Sequence, residues 1–483
     1  MRRKDWWFLG AAIAVGALAR FATLDLQSFH HDEAVMAGRV IQPGLGDTLD
    51  QVLDGERSPP LYYLLSWAWS QPFGTGEVGL RSLSALVGTL MIPAAFLAGR
   101  ELLTARAGLF CAWLVALNPL LVYYSQEARS YILMALFVTL ALAFFARSVR
   151  RPDGRSFALW ALACALALCS HYFAIFLILP QAAWLLYSNP RSQRTLAACG
   201  AIALTGLALA PLALNQQGED RRDGFTELSL PGRVVEVGVD YSASEDPDPL
   251  SGSSRVDAVQ LVAGLGGGLL ILLAAGLALR RGEPDERRAW MLAAGVGAAG
   301  IGVPALAAAI GLDFFKPRNV MAGVIPILLA SAAGFAVARA GGLGLAGVVA
   351  LCILYGGVVV AVNSTAEMQR EDWREVAELI GEPDGERLVA VAQNGDDPML
   401  YYLDAERFKG STAREGVSTT QVVAVSTTSK PVAPPHGFEV VGSSRLPPLF
   451  TVWALRAPRP ELLREDDVAK VLPERSTVLL QEP

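Results

Sequence analysis

Four ionisable side chains stand in a row at Phe29-His30-His31-Asp32-Glu33-Ala34, directly after the first apolar run of the chain. A carboxylate held at the edge of a bilayer can deprotonate an incoming hydroxyl, and a neighbouring carboxylate or imidazole can bind a divalent cation. The plainer role for Asp32 and Glu33 is to start the helix that continues through residues 34–40, since acids favour a first helical turn. A helix start has no need of two adjacent histidines, and that tips the reading toward chemistry.

Three further segments carry reactive or charged groups. Tyr123-Tyr124-Ser125-Gln126-Glu127-Ala128-Arg129-Ser130-Tyr131 joins two apolar runs and sets Glu127 and Arg129 where lipid begins, a depth at which charges line a cavity or pair with each other. His171 stands alone at a turn between apolar runs. Phe314-Phe315-Lys316-Pro317-Arg318-Asn319 places two cations at the end of a span, where they can hold a lipid phosphate, the arginine gripping two oxygens at once. Snorkelling to ordinary headgroups is the alternative use of such a pair.

What must position these residues is a membrane domain. Of 483 residues 53% are hydrophobic and only 18% charged, which exceeds what a water-soluble surface of this size tolerates. The apolar residues lie in unbroken runs of about 20, the length that crosses roughly 30 Å of hydrocarbon as a helix. Such runs occupy 6–24, 79–99, 108–124, 131–146, 157–171, 172–187, 195–212, 256–279, 289–310, 318–338 and 342–362, eleven expected spans. The first follows Met1-Arg2-Arg3-Lys4 and reads as an uncleaved span. All five cysteines fall inside these runs and imply no disulfide framework. The net charge of −6, with acids crowded into two longer polar stretches, makes nucleic acid an unexpected partner.

Basic residues near span ends are retained on the cytoplasmic side. With the N-terminus inside, the inner loops hold Arg100 and Arg106, then Arg147, Arg150, Arg151 and Arg155, then Arg191 and Arg194, then Arg280, Arg281, Arg287 and Arg288. The apolar segment Pro59-Pro60-Leu61-Tyr62-Tyr63-Leu64-Leu65-Ser66-Trp67-Ala68-Trp69 would invert this pattern if it crossed, so it is expected to be a short helix at the outer interface. The outer face then displays a first loop (25–78), a loop near 125–130, the turn at His171, a long acidic loop (213–255) and the turn at 313–318. The expected fold is a polytopic α-helical membrane protein, residues 1–362, followed by a small extracytoplasmic α/β domain over 363–483. In the latter, the periodicity of 371–380 predicts a helix, and 388–392, 421–426 and 450–455 read as strands.

The motif set His31-Asp32-Glu33-Ala34, Pro59-Pro60-Leu61-Tyr62-Tyr63, Arg81, Ser84-Ala85-Leu86, Ser125-Gln126-Glu127-Ala128-Arg129, His171-Tyr172 and Pro317-Arg318-Asn319 resembles the C-type glycosyltransferase superfamily. The branch it resembles is the protein O-mannosyltransferase-like one, which includes lipid A aminoarabinose transferases. The similarity covers about residues 5–340. It implies transfer of a sugar, with inversion, from a polyprenyl-phosphate donor to a glycan, lipid or protein acceptor on the outer face of the cytoplasmic membrane. By motif match, the resemblance implies Asp32 as general base, Glu33 as its partner or a metal ligand, Glu127 as a second acid on the acceptor side, and Arg318 as binder of the donor phosphate. Lys316 and Arg129 join Arg318 as candidate phosphate contacts. A divalent metal ion is a candidate cofactor, with His31, Glu33 and His171 as its candidate ligands, and no nucleotide cofactor is expected. One departure is Glu56-Arg57-Ser58-Pro59, where relatives often carry a histidine or a Glu-Lys pair before the proline step.

The rival class is a transporter or lipid flippase of envelope glycan assembly, which should show ionisable residues near mid-span and symmetric halves. A cytoplasm-only reporter fused after Pro483 should be silent, because eleven spans following a cytoplasmic N-terminus leave the C-terminal domain outside. Strong reporter activity would overturn the span count.

Overall fold

The structure, a computed structural model, describes residues 2–216, 228–244, 254–428, 430–447 and 450–483. Each of the eleven apolar runs is helical over most of its length. In chain order the membrane part comprises α1 (Arg3–Phe21), α2 (His31–Val35), α3 (Leu45–Gly55), α4 (Leu61–Phe73), α5 (Glu77–Leu102), α6 (Ala105–Leu117), α7 (Pro119–Ser125), α8 (Tyr131–Arg150), α9 (Gly154–Ser170), α10 (Ile175–Ser188), α11 (Gln193–Asn215), α12 (Leu230–Ala243), α13 (Ser254–Arg281), α14 (Pro284–Ala309), α15 (Pro317–Val320), α16 (Val324–Ala336) and α17 (Gly341–Ser364). Among the described residues, seven helical segments are each long and apolar enough to cross a bilayer, and the bent pair α6–α7 makes an eighth. Helices α9 and α10 are shorter than the ~20 residues a straight crossing needs.

Several features of the bundle follow from single residues. Asn118-Pro119 separates α6 from α7 and bends the pair by 60°, because the residue before a proline is pushed out of helical conformation. The Asn118 carboxamide caps α7 by accepting from Leu121 N at 3.1 Å and donates to the Tyr241 carbonyl at 2.8 Å. Arg20, fully buried in the last turn of α1, donates to Ser125 Oγ and to the carbonyls of Gly16, Val115 and Ala116, at 2.8–3.0 Å. A guanidinium inside a bundle requires such acceptors. Gly88 on α5 makes the room: a Cβ there would fall 2.1 Å from Ser125 Oγ and 2.9 Å from Arg20 Nε.

The segment at 59–69 forms α4, a 13-residue helix within the first loop. Between α9 and α10, His171 takes an extended backbone and breaks the helix, so the two runs at 157–187 separate there. The loop at 213–255 is only partly a loop. Its residues 217–227 and 245–253 lie outside the described residues, but 230–243 form α12, which Arg233 ties to Asp313 through two hydrogen bonds of 2.9 and 2.7 Å.

After α17 the chain folds into an α/β domain with α18 (Trp373–Ile380), α19 (Asp396–Tyr402), α20 (Gly410–Glu415) and α21 (Glu465–Ala469) around six strands: β1 (Arg387–Ala392), β2 (Glu406–Arg407), β3 (Val417–Ser426), β4 (Glu439–Leu446), β5 (Phe450–Leu463) and β6 (Ser476–Gln481). The sheet order is β2-β6-β1-β3-β5-β4, with β1 and β3 parallel and the other pairs antiparallel. Alternate residues of β1 and β3 feed two cores: Leu388, Ala390, Val422 and Ala424 on one face, and Val389, Val391, Val423 and Val425 with Trp373 and Val376 of α18 on the other. Burial on both faces is why these strands are unbroken apolar runs.

This domain is bolted to the first loop. Tyr402 bonds the Glu77 carboxylate and accepts from Phe29 N, Arg374 donates to Glu77 at 2.8 Å, and Ser28 Oγ links to the backbone of Glu371 and Trp373 at 3.0 and 2.9 Å. Tyr401 sits edge-on to Phe29, a buried ring.

Candidate active site

Helix α2 sorts its two acids. Successive helical residues point about 100° apart, so Glu33 turns into the protein while Asp32 faces the open side. The His30 imidazole caps the helix by accepting from Asp32 N at 3.4 Å, and Glu33 reaches back to His30 N at 3.2 Å, a reciprocal cap.

Glu33 is fully buried. Its Oε1 accepts from Arg81 Nε and Ala128 N, both at 2.8 Å, and its Oε2 from Arg81 Nη2 at 2.6 Å and Arg370 Nη1 at 3.2 Å. Burial pushes this carboxyl up, yet the charge and hydrogen bonds of Arg81, the charge of Arg370 and the Ala128 N–H outweigh it and hold Glu33 at about 2. It is therefore a fixed anion that fastens the first loop (Glu33), α5 (Arg81) and the second loop (Ala128) together. Arg81 completes the closure by donating to the carbonyls of Leu24, Gln27 and Ser28.

On the other side of α2, Asp32 Oδ2 lies 3.4 Å from Arg318 Nη1, and Arg129 donates to the Asp32 carbonyl at 3.4 Å while pairing with Glu56 at 3.1 Å. Tyr63 donates to the same Glu56 carboxylate at 2.5 Å. Burial pushes the Asp32 carboxyl up, but Arg129, Arg318 and the two histidines outweigh it and hold it well below the usual carboxylate range. Lys316 shows the converse: burial first, then the charges of Arg318 and Arg57, lower its pKa.

Acids and cations anticipated from sequence thus meet from three segments, residues 32–33, 127–129 and 316–318, at one end of the bundle. His171 joins them through its ring, 5.2 Å from that of Tyr131 and 5.1 Å from that of Phe173. Glu127 is buried and gives Oε2 to Arg370 at 3.3 Å, so within this geometry it faces an internal counter-charge.

The three candidate metal ligands do not come together. Glu33 has its oxygens occupied by arginines and backbone N–H groups, and His171 Nδ1 accepts from Phe173 N at 3.3 Å. His31 turns instead toward the C-terminal domain, where its Nδ1, buried without a hydrogen-bond partner, lies 3.8 Å from Asp397 Oδ2. His31, Asp396 and Asp397 form the one group among the described residues whose ligand atoms all lie within 4.8 Å. Arg407 already bonds both aspartates at 2.8 Å, neutralising much of the charge a cation would need.

Three participants were missed in the sequence: Glu56, Arg57 and Arg370. The first two stand at the point of departure from the expected motif, which was itself the available signal. Arg370 lies beyond the last span, in a stretch with no motif.

The chain has counterparts among known proteins. Residues 57–214, about a third of the chain, match the family model for dolichyl-phosphate-mannose-protein mannosyltransferase. No curated protein sequence matches the chain. The fold is similar to that of ArnT from Cupriavidus metallidurans, solved bound to undecaprenyl phosphate, with a TM-score of 0.55 and 14% identity over 94% of this chain and 98% of that one. The archaeal oligosaccharyltransferase AglB from Archaeoglobus fulgidus, in complex with an inhibitory peptide and a dolichol-phosphate, aligns at a TM-score of 0.48 and 15% identity over 83% of this chain and 59% of its own.

Glu33→Gln leaves Arg81 and Arg370 short of one buried negative charge and should cost about 3–5 kcal/mol at neutral pH, the cost of breaking a buried pair. Because the folded-state pKa of Glu33 is depressed, its contribution is fully present above its unfolded value of 4.5 and is lost as pH falls toward about 2. Thermal melts of parent and variant should differ most above pH 4.5 and converge below it; a gap that does not change with pH would show that Glu33 is not the anion of this network.

Proposed function

From a C-type glycosyltransferase fold with a cation-crowded, carboxylate-bearing site at one end of its helices, we propose that this chain is an inverting membrane glycosyltransferase. It takes a sugar from a polyprenyl-phosphate donor and passes it to an acceptor hydroxyl of a glycan, lipid or protein on the outer face of the cytoplasmic membrane. The observation that carries this reading is the juxtaposition of Asp32 with Arg318, 3.4 Å apart, beside Lys316, Arg57 and Arg129.

In this mechanism the acceptor oxygen attacks the anomeric carbon, its proton goes to Asp32, and the bond from that carbon to the phosphate oxygen breaks with the electron pair leaving on the phosphate. Arg318, Lys316 and Arg57 hold the departing anion, fixed positive charge being what a leaving phosphate requires. The sugar is inverted because attack and departure occur on opposite faces.

The Asp32–Arg318 pair gives the site an order of events. While Arg318 holds it, the Asp32 carboxylate is a weak base. A donor phosphate competes for the same guanidinium, and once Arg318 turns to it, burial raises the affinity of Asp32 for a proton. Base strength is therefore coupled to donor occupancy.

Envelope glycans and glycolipids compared by mass spectrometry with and without the protein should differ by one sugar type; identical profiles would remove the transferase reading. Asp32→Asn keeps the shape but not the basicity and should lower the transfer rate by about 10²–10⁴-fold with expression unchanged. A parental rate would reduce Asp32 to a helix-start residue. Arg318→Lys keeps the charge but loses the planar two-oxygen grip, so donor dependence should weaken by roughly 1–3 kcal/mol. Equal donor dependence in the parent, Arg318→Lys and Arg318→Ala would take Arg318 out of the site.

A further inference from the structure

We infer that Arg370 is a positioning residue of the transfer site, through which the segment entering the C-terminal domain holds the first and second loops in register. The inference rests on the transferase reading above. Arg370 lies between the end of α17 and the start of α18 and is only 5% exposed. Its Nη1 donates to Glu33 Oε2 at 3.2 Å and its Nη2 to Glu127 Oε2 at 3.3 Å, and its guanidinium stacks 4.0 Å from the ring centroid of Tyr123. One planar group thus spans an acid from each loop and an aromatic ring from α7.

Its backbone is pinned from the same side. Arg370 N donates to Gln27 Oε1 at 2.9 Å, and the next residue, Glu371, accepts from Ser28 Oγ. The side chain cannot shift without moving the first loop.

Two acids and two arginines meet here, and they divide the work unequally. Arg81 spends its donors on Glu33 and on three backbone carbonyls of residues 24–28, whereas Arg370 bridges Glu33 to Glu127. Glu127 immediately precedes Ala128, whose N–H binds Glu33, and lies two residues before Arg129, which holds the Asp32 carbonyl. Loss of Arg370 removes a buried counter-charge from Glu127 at the base of that turn and lets Arg129 and Asp32 drift. An error of about 1 Å in such a constellation costs roughly 10²-fold in rate.

Arg370 contacts neither Arg318, Lys316 nor Arg57 in this network, so its loss should leave the phosphate site standing. The effect belongs on turnover and not on donor affinity, a split that general destabilisation would not produce.

The test uses the full-length chain in detergent, with undecaprenyl phosphate as the binding probe and, for turnover, the sugar-bearing product found by envelope mass spectrometry. Arg370→Gln should reduce turnover by roughly 10²-fold with the dissociation constant for undecaprenyl phosphate within about twofold of parental. Arg370→Gln combined with Glu127→Gln restores the charge balance and should recover at least part of that loss. Arg370→Lys keeps the charge but reaches only one of the two acids, and it should fall between parent and Arg370→Gln; it also decides the matter if Arg370→Gln does not fold. Parental turnover in Arg370→Lys, or donor affinity that falls in step with turnover, would overturn the inference. A parent that neither binds undecaprenyl phosphate nor makes product removes the transferase reading and this inference with it, whereas an active parent matched by its Arg370 variants removes the inference alone.

Discussion

A carboxylate taken fully out of water must be surrounded by donors or give up its charge, and Glu33 meets that demand with two arginines and two backbone N–H groups drawn from separate parts of the chain. The arrangement around it follows from this need. Arg81 is brought from α5, Ala128 from the turn between α7 and α8, and Arg370 from the far side of the last membrane helix. Each contact closes a loop of the chain, and the loops so closed are those that carry the reactive side chains. The ion cluster is better understood as a specifier of geometry than as a source of stability, because a buried pair gains little over apolar packing but loses heavily when one partner goes.

The adjacency of two acids on a five-residue helix does the rest. With Glu33 anchored inward, helix geometry obliges Asp32 to look the other way, toward Arg318 and the crowded cations beside it. One position is structural and its neighbour is the base in the proposed mechanism, although the two side chains are chemically nearly identical. Their environments separate them: Glu33 is saturated, while Asp32 and its partner Arg318 are both partly exposed.

Much of this was legible in the sequence, and what was not has physical causes. The apolar runs gave helices because runs of that length have few other ways to satisfy their backbone in a bilayer. His31-Asp32-Glu33, Glu127-Ala128-Arg129 and Lys316-Pro317-Arg318 stood out because charge beside a span is expensive and so rarely idle. Within the C-terminal domain, β1 and β3 were visible as doubly buried apolar runs. Strand β4 was not, since residues of Glu439–Leu446 are exposed on both faces and show no alternation. Helix α12 was hidden in a polar stretch because its buried face carries Arg233 and Asp240 beside Val237 and Tyr241 while Val234 and Val235 are exposed, and Arg370 was hidden because its partners, Glu33 and Glu127, are 337 and 243 residues away. The anchoring of Glu33 by Arg81 and the Ala128 N–H, in place of a metal, was likewise not readable, as it depends on which acid Arg81 reaches.

Determination of the structure with undecaprenyl phosphate bound tests the account most directly. The account predicts phosphate oxygens within hydrogen-bonding distance of Arg318, with Lys316 and Arg57 turned toward them, and Asp32 released from the 3.4 Å contact it makes with Arg318 in the free protein, while the Glu33–Arg81–Arg370 cluster stays unchanged. A phosphate seated elsewhere on the helices, with the Asp32–Arg318 pair intact, would contradict it.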